Sequence, residues 1–576
     1  MKHIYAFLLP LIVLFFCNDL KSQENNAKLL DHLFSGTGEL YFKFTIHDKE
    51  ILHDLTRIIS IDNVKGLEVS AYANRKEFSE FLNFKIPYAI LPSPGKLLKE
   101  SDLISEQVMK DGIPLTSWNF YPSYQQYLDS LVSFATRYPE ICKIDTIGTS
   151  VQGRLILAVK ISDNVDLEEG EPEFLYTSSI HGDETTGYVL MLHLIDYLLS
   201  NYSSDPRIAN IVNTTEIYIN PLANPDGTYR GGNNSVYGAQ RGNANNIDLN
   251  RNYWDPKVGK HPDGNPWQVE TIAFMDYAER RHFVIGANFH GGAEVFNYPW
   301  DTWVKLTADD DWWQYVGREW ADTVHAYGPS GYFTDLDNGI TNGYYWYEVN
   351  GGRQDYMNYF HQSREVTLEI SDIKLLPASQ LINFWNYNYH SFLNYLEQAN
   401  FGVQGIISDT VTGEPLSAKV FIQLHDKDSS HVYSKLPSGF YSRLLHEGNY
   451  NLTFSSPGYF TKTIKGVSIT NRTTNHLDVQ LKPVTFGMHE QAVNTSLLFP
   501  NPAKDQVRFK CPDSHAGQCF FEILTIEGKK VISNSFYIHS GNISESIDVS
   551  GLCAGLYLVR ITLGTKIYTE KLQIVK

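Results

Sequence analysis

Between residues 37 and 91 the spacing of apolar positions changes several times. Leu40 to Ile46 and Leu67 to Ala73 alternate apolar and polar residues, the pattern of a strand with one buried face. Lys49–Ile58 and Arg75–Leu82 instead repeat every three to four residues, as an amphipathic helix does. That order predicts a ferredoxin-like β-α-β-β-α-β unit of α+β type. Pro92, Pro94 and Gly95 then mark a linker. From Leu115 to Gln398 strand-like and helix-like runs alternate, which predicts one α/β domain. Residues 401–483 carry only short strand patterns, such as Lys419–Leu424 and Tyr450–Phe454, between turns like Thr412-Gly413 and Pro457-Gly458. They predict a small β-sandwich. A polar stretch through Thr495 leads to a last β-rich unit at 498–576.

One run fits neither period. Ile4 to Cys17 is almost wholly apolar, follows Met1-Lys2-His3 and precedes the polar residues Asn18 to Gln23. A basic start and a core too short to span a bilayer predict a secretory signal, residues 1–22, cleaved near Ser22 or Gln23. Phe15-Phe16 before Cys17 lacks the small residues of a lipoprotein site. No later stretch is apolar enough for a span, so no membrane segment is expected in the mature chain. The net charge of −18 argues against a nucleic-acid partner, which requires a basic surface. Five cysteines in 576 residues cannot form a disulfide scaffold.

Candidate chemistry begins at His181-Gly182-Asp183-Glu184, between the apolar strand Glu173–Ile180 and the helical run Tyr188–Leu199. H-x-x-E alone says little: with 19 His about one chance match is expected, and His47 with Glu50 is a second match. The first pair gains weight from His290, which ends the apolar strand Val284–Phe289 and precedes Gly291-Gly292. Two His and one Glu make a catalytic zinc shell with an open fourth position.

Asn224-Pro225-Asp226-Gly227, Arg241-Gly242-Asn243-Ala244 and Asp248-Leu249-Asn250-Arg251-Asn252 resemble motifs of the zinc metallocarboxypeptidases. Phe289-His290-Gly291-Gly292 with Asn297-Tyr298-Pro299, and Gly339 to Gly343 through Trp346-Tyr347 and Gly351-Gly352 to Thr367-Leu368-Glu369, resemble the regulatory subfamily, carboxypeptidases D, E, M and N. Over residues 115–398 the resemblance implies a carboxypeptidase-type mixed sheet flanked by helices. It implies one zinc ion held by His181, Glu184 and His290. Glu369 would be the general base, Arg241 the oxyanion stabiliser and Tyr347 the mobile closing residue. Asn250 and Arg251 would clamp the substrate's terminal carboxylate, for which a guanidinium fork is suited. Period 2 puts Glu365, Thr367 and Glu369 on the polar face of their strand.

Asp301 and Gln354 match the pocket of members that prefer C-terminal Lys or Arg. Arg353, where regulatory members commonly have Met, would weaken that preference if it faced the pocket. An extended backbone there would turn it to solvent, opposite Gln354. The alternatives are a cell-wall peptide hydrolase of the same superfamily and a non-catalytic surface adhesin on a peptidase scaffold.

The 37–91 unit resembles the propeptide-like domain of some carboxypeptidases. Residues 401–483 resemble the transthyretin-like domain that follows regulatory ones. Phe499-Pro500-Asn501-Pro502-Ala503, Asp548 to Leu552 and Ala554 to Tyr557 resemble the C-terminal sorting domain of the Bacteroidetes type IX secretion system. Expected partners are peptides or proteins with free C-termini and that secretion machinery, and the expected location is outside the cell or on its surface. Cys511 and Cys519 could pair in the oxidising exterior.

Overall fold

A computed structural model describes residues 27–103, 118–484, 498–509, 517–526, 528–538, 546–563 and 566–576. The expected export signal and Cys511 lie outside them. The chain divides into two compact units at Val484/Thr485.

The first unit opens with four strands, β1 (Glu39–Thr45), β2 (Ser60–Lys65), β3 (Glu68–Asn74) and β4 (Tyr88–Leu91). They form an antiparallel sheet in the order β2-β3-β1-β4. The alternation in β1 is realised directly: Leu40, Phe42 and Phe44 are buried against Leu52, Leu55, Phe78 and Phe81. The second helix, Arg75–Phe81, starts where the Asn74 side chain accepts from Glu77 N–H while Glu77 reaches back to Asn74 N–H, a capping box. The first helix is shorter than its pattern, one 3-10 turn at Lys49–Ile51 followed by Leu52–Leu55.

The next eight strands are β5 (Cys142–Thr149), β6 (Leu155–Ile161), β7 (Glu173–Ser178), β8 (Glu216–Asn220), β9 (Phe283–His290), β10 (Ala293–Tyr298), β11 (Ile340–Asn342) and β12 (Arg364–Ser371). They form one mixed sheet, β11-β10-β12-β9-β7-β8-β6-β5, whose central pairs β12-β9, β9-β7 and β7-β8 are parallel. Alternate side chains feed two cores. Phe174 and Tyr176 join the cluster built with helices Tyr124–Arg137, Thr186–Asn201, Asp310–Tyr327 and Leu381–Gln398. Leu175 joins the other, with helix Val269–Arg280. Covered on both faces, the central strands β7, β8, β9 and β12 are buried along their whole length, polar residues included.

Residues 402–481 fold as two four-stranded sheets around Val403, Ile407, Val420, Leu452 and Phe454. Buried Asp309 of the large domain ties them on, accepting from Arg443 at 2.8 Å and from Arg364 at 2.8 Å.

The second unit is a three-stranded and a four-stranded sheet sharing a core of Val507, Phe521, Val559 and Leu572. Its Phe499–Ala503 turn is bound to the last strand. Asn501 Nδ2 donates to Lys571 O at 2.7 Å and Asn501 Oδ1 accepts from Gln573 N–H at 3.0 Å. No helix among the described residues is long and apolar enough to cross a membrane.

Candidate active site

Parallel strands β7 and β9 end side by side, which brings the loop after β7 next to the last residue of β9. That loop carries His181 and Glu184, and the last residue of β9 is His290. His181 Nδ1 lies 3.0 Å from Glu184 Oε1 and 3.0 Å from His290 Nδ1, and His290 Nδ1 lies 2.9 Å from Glu184 Oε2. All three residues are 3% exposed or less. Three side chains that each offer a ligand atom converge here on one point, the arrangement a divalent cation would fit, and the two-His, one-Glu set suits zinc.

The far nitrogens are held from behind. His181 Nε2 is 3.0 Å from Asp248 Oδ1, and His290 Nε2 is 2.8 Å from the Asn288 amide, two residues back along β9. Such partners fix ring orientation at metal sites. Burial pushes His290 down to about 4, so it is a neutral donor at pH 7. Burial and Arg241 also pull His181 down, but Glu184 and Asp248 outweigh them and leave it above its ordinary value. Burial disfavours the charged Glu184, yet His181, Lys374 and His290 hold it well below the usual carboxylate range.

The surrounding motifs build this loop. Gly182 packs so close to the Asn224–Thr228 turn that a Cβ would sit 2.3 Å from Gly227 C and 2.5 Å from Gln240 O. Asn224 caps that turn by accepting from Gly227 N–H and donates to Ile180 O at 3.2 Å. Asp248 also accepts from Arg241 Nε at 2.9 Å, so one carboxylate sets both a His ligand and the guanidinium.

Glu369 pairs in register with His290 across β12 and β9. Val366, Leu368 and Ile370 enter the core, as their alternation requires, but the opposite face is not solvated: every residue of β12 is buried. Burial, then the charge of Glu184, pushes Glu369 well above the usual carboxylate range, and its Oε2 has no hydrogen-bond partner.

Asn250 and Arg251 lie on a 3-10 turn beside Asp248. Asn250 Oδ1 accepts from Arg353 N–H at 2.9 Å, which turns its NH2 the other way. Asp301 is buried, and its Oδ1 accepts from Gln354 Nε2 at 3.0 Å and Asn297 Nδ2 at 3.3 Å. Gln354 Oε1 in turn accepts from Thr367 N–H at 2.6 Å, which ties the pocket to β12. Burial pushes Asp301 up to about 7. Asp355 holds the backbone N–H groups of Asp301, at 3.1 Å, and Thr302, at 2.8 Å.

Arg353 corrects an expectation. Residues 353–360 are a helix, not an extended segment, and Arg353 is 1% exposed rather than solvated. It does not threaten the pocket, because its guanidinium pairs with buried Glu365 at 3.0 Å and donates to Thr177 at 2.8 Å.

The amino-terminal sheet sits over these residues. Ile61 O accepts from Arg251 Nη2 at 3.0 Å and from the Tyr347 hydroxyl at 3.4 Å. Asp62 Oδ1 lies 2.7 Å from Lys374 Nζ and 3.3 Å from Arg241 Nη1. Glu39 accepts both Arg241 N–H and Gly242 N–H, at 2.7 and 3.0 Å, and Tyr72 donates to Asp183 at 2.7 Å. The cavity left among Asp62, the three donors, Glu369, Asp301 and Tyr347 is only ≈ 30 Å³, room for about one water rather than a peptide. His47 and Glu50 are exposed in the amino-terminal unit and take no part.

All ten residues singled out from sequence therefore converge. Asp248, Asn288, Asp355 and Lys374, which contact these ten, were not singled out from sequence. Asp248 stood inside a quoted motif, but nothing in spacing distinguishes the other three.

A zinc carboxypeptidase family model matches residues 127–391, and a secretion system C-terminal sorting domain model matches residues 497–576. Mouse carboxypeptidase M is 37% identical over 356 residues, which cover 59% of this chain and 79% of that protein. Human carboxypeptidase D is 37% identical over 349 residues, 57% of this chain, and the match spans only 24% of its length. The crystal structure of carboxypeptidase A from Helicoverpa armigera superposes with a TM-score of 0.51 at 18% identity, over 63% of this chain and 97% of that one, a likeness of fold.

Proposed function

This chain belongs to the zinc carboxypeptidase family, and from that premise we propose that it is a zinc-dependent exopeptidase hydrolysing the C-terminal peptide bond of peptides and proteins, with release of C-terminal Lys or Arg. The observation that carries this reading is the convergence of His181, Glu184 and His290 beside Glu369, Arg241 and Arg251 at the ends of adjacent strands.

Zinc bound at those three residues would polarise the scissile carbonyl and supply a water that is nucleophilic near neutral pH. Glu369 takes the water's proton and passes it to the departing amine, a role for which a raised carboxylate pKa is suited. Arg241 faces the carbonyl oxygen as negative charge grows there. Asn250 and Arg251 hold the terminal carboxylate, and Tyr347 closes over the bound residue. Asp301, fixed by Gln354 and Asn297, offers its second oxygen to a Lys or Arg side chain. The burial and pairing of Arg353 support this preference. The test is twofold: zinc content of wild type and His290→Ala, and kcat/KM on peptides differing only in the last residue. Unchanged metal and activity in His290→Ala, or a profile led by Phe or Leu, would refute the assignment and the preference respectively.

Residues 37–91 are read as a ferredoxin-like, propeptide-type domain that covers the cleft, with the catalytic domain at 115–398 and a transthyretin-like domain at 401–483. Ile61 O on Arg251 supports the covering role, because it occupies the group assigned to the substrate's carboxylate. With a signal at 1–22 and a sorting domain at 498–576, the enzyme is exported through the periplasm by a type IX route to the surface or medium.

A further inference from the structure

Arg353 and Glu365 form an ion pair at 3.0 Å, with side chains 1% and 0% exposed. Glu365 Oε1 has no hydrogen-bond partner, a penalty for a buried carboxylate. Buried pairs of this kind are often no more stabilising than apolar residues of similar volume. Regulatory carboxypeptidases commonly have Met at the arginine position, so the pair calls for a role other than stability. Its place in the sheet supplies one. Parallel register sets Thr177 of β7 opposite Asn288 of β9, and Asn288 opposite Thr367 of β12. Period 2 then puts Asn288 and His290 on one face of the sheet, with Glu365 and Glu369 on the same face. Arg353, the first residue of its helix, reaches this face, where its Nη1 donates to Thr177 Oγ1 at 2.8 Å. Thr177 Oγ1 donates to Asn288 Oδ1 at 3.0 Å, and Asn288 Nδ2 lies 2.8 Å from His290 Nε2. A line of polar contacts thus runs from Glu365 to a metal ligand, through buried residues only.

The Thr177 hydroxyl is the adaptable part of this line. His290 Nδ1 lies 2.9 Å from Glu184 and 3.0 Å from His181, so it is the nitrogen a metal would take. A neutral ring that ligates through Nδ1 carries its proton on Nε2 and needs an acceptor there. The Asn288 amide serves when its oxygen turns to the ring and its NH2 to Thr177. With one O–H and two lone pairs, Thr177 answers either orientation, donating to the amide oxygen or accepting from the amide nitrogen. A guanidinium only donates, so Arg353 holds the other lone pair in both cases and keeps Oγ1 turned toward Asn288.

We propose that Thr177, anchored by the Arg353–Glu365 pair, is a positioning residue of the metal centre: acting through the Asn288 amide, it holds the His290 ring with Nδ1 free for zinc. The proposal rests on the assignment of zinc to His181, Glu184 and His290. Thr177 itself touches neither the metal ligands nor the cleft, so its effect is on how tightly the metal is held.

The experiment measures the zinc affinity of the full chain by competition with a chelator, with thermal melting of the metal-free protein as the check on folding. Thr177→Val keeps the shape of the side chain and removes the hydroxyl, whereas Thr177→Ser keeps the hydroxyl and removes a methyl. Thr177→Val is expected to weaken zinc binding about 10-fold, the lower end for loss of a partner behind a metal ligand, and Thr177→Ser to stay within about twofold of wild type. A role in packing alone would reverse that order, because only the serine variant leaves a void. The reversed order, or equal affinity in wild type and Thr177→Val, would overturn the proposal. Arg353→Met/Glu365→Leu removes both charges together, so neither is left buried alone, and it serves if Thr177→Val does not fold. It retains the backbone N–H of residue 353 that Asn250 accepts. This double variant is expected to weaken zinc by a similar factor, and adding Thr177→Val to it to cost little more, because both changes break the same line. A second full loss of about 10-fold would show two independent effects and overturn the anchoring by Arg353. The readout needs no turnover. Wild type that bound no zinc would refute the zinc assignment itself, whereas tight binding in wild type and Thr177→Val alike would refute the relay alone.

Discussion

As the proposed specificity group, Asp301 would carry a charge that depends on pH. Burial pushes its carboxyl up to about 7, so the neutral acid is favoured below that value and the carboxylate above it. Only the carboxylate attracts a cationic side chain. The ratio of kcat/KM for C-terminal Arg over Leu is therefore expected to grow as pH rises through about 7, and to be flat in Asp301→Ala. A charge-assisted hydrogen bond of about 1.5–3 kcal/mol predicts discrimination of roughly 10- to 150-fold at the upper plateau. A ratio independent of pH in wild type would remove Asp301 from the pocket. Glu369→Gln should keep the metal, since Glu369 is no ligand, and cut kcat by at least about 10²-fold, the lower end for a lost acid–base group. Near-normal turnover would refute the general base while leaving the metal site intact. At this scale the sequence was most legible where a motif carried the residue and least where packing did. Arg353 shows the limit, because period-2 reasoning presumed a strand. Its partner Glu365 lies twelve residues away, on the polar face of β12, a face that folding buries.

Strand and helix patterns in the large domain were legible because each strand is covered on both faces or one, and burial writes the apolar pattern. Sheet order was not: β12 lies between β9 and β10 through non-local pairing. The register that sets Glu369 against His290 has no signature in either strand alone. The contact of the amino-terminal sheet with the cleft was equally hidden, because Ile61 and Asp62 are ordinary strand residues until β2 meets Arg241 and Arg251. Glu39 makes that junction sensitive to pH. Burial first, and the charge of Asp183 second, push its carboxyl up to about 7 when docked. Docking therefore takes up a proton. Its contribution is fully present below the ordinary carboxylate pKa of about 4.5 and is lost as pH rises through about 7. The protection factors of the Arg241 and Gly242 amides, whose hydrogen bonds Glu39 accepts, should fall over that range after correction for the intrinsic pH dependence of exchange, and Glu39→Gln should flatten the change. Protection that is constant between pH 5 and 8 in wild type would show that another group governs the junction.

For the whole molecule, the division at Val484/Thr485 puts the residues proposed for hydrolysis and the match to the sorting-domain family in different units. Every residue assigned to hydrolysis lies in the first unit, and the sorting-type motifs lie in the second. The second unit has its own core, including Leu498, Val507, Phe521 and Ile574. Its recognisable turns also serve that core: Asn501 ties the first turn to the last strand, and Asp548 Oδ1 accepts from Ser550 N–H at 2.9 Å within the second. Motif residues that brace a separate fold need not support the catalytic one. Deletion from Leu498 onward is thus expected to leave zinc content and kcat/KM within about twofold of the full chain, since the deleted segment has its own core. In a type IX-competent host the truncated enzyme should accumulate in the periplasm, where the proposed signal at 1–22 would deliver it, and be absent from the surface and medium. Fractionation with an activity assay reads both outcomes at once. Normal appearance of the truncated form in the medium would refute the sorting role, whereas periplasmic retention with lost zinc would show that the two units depend on each other.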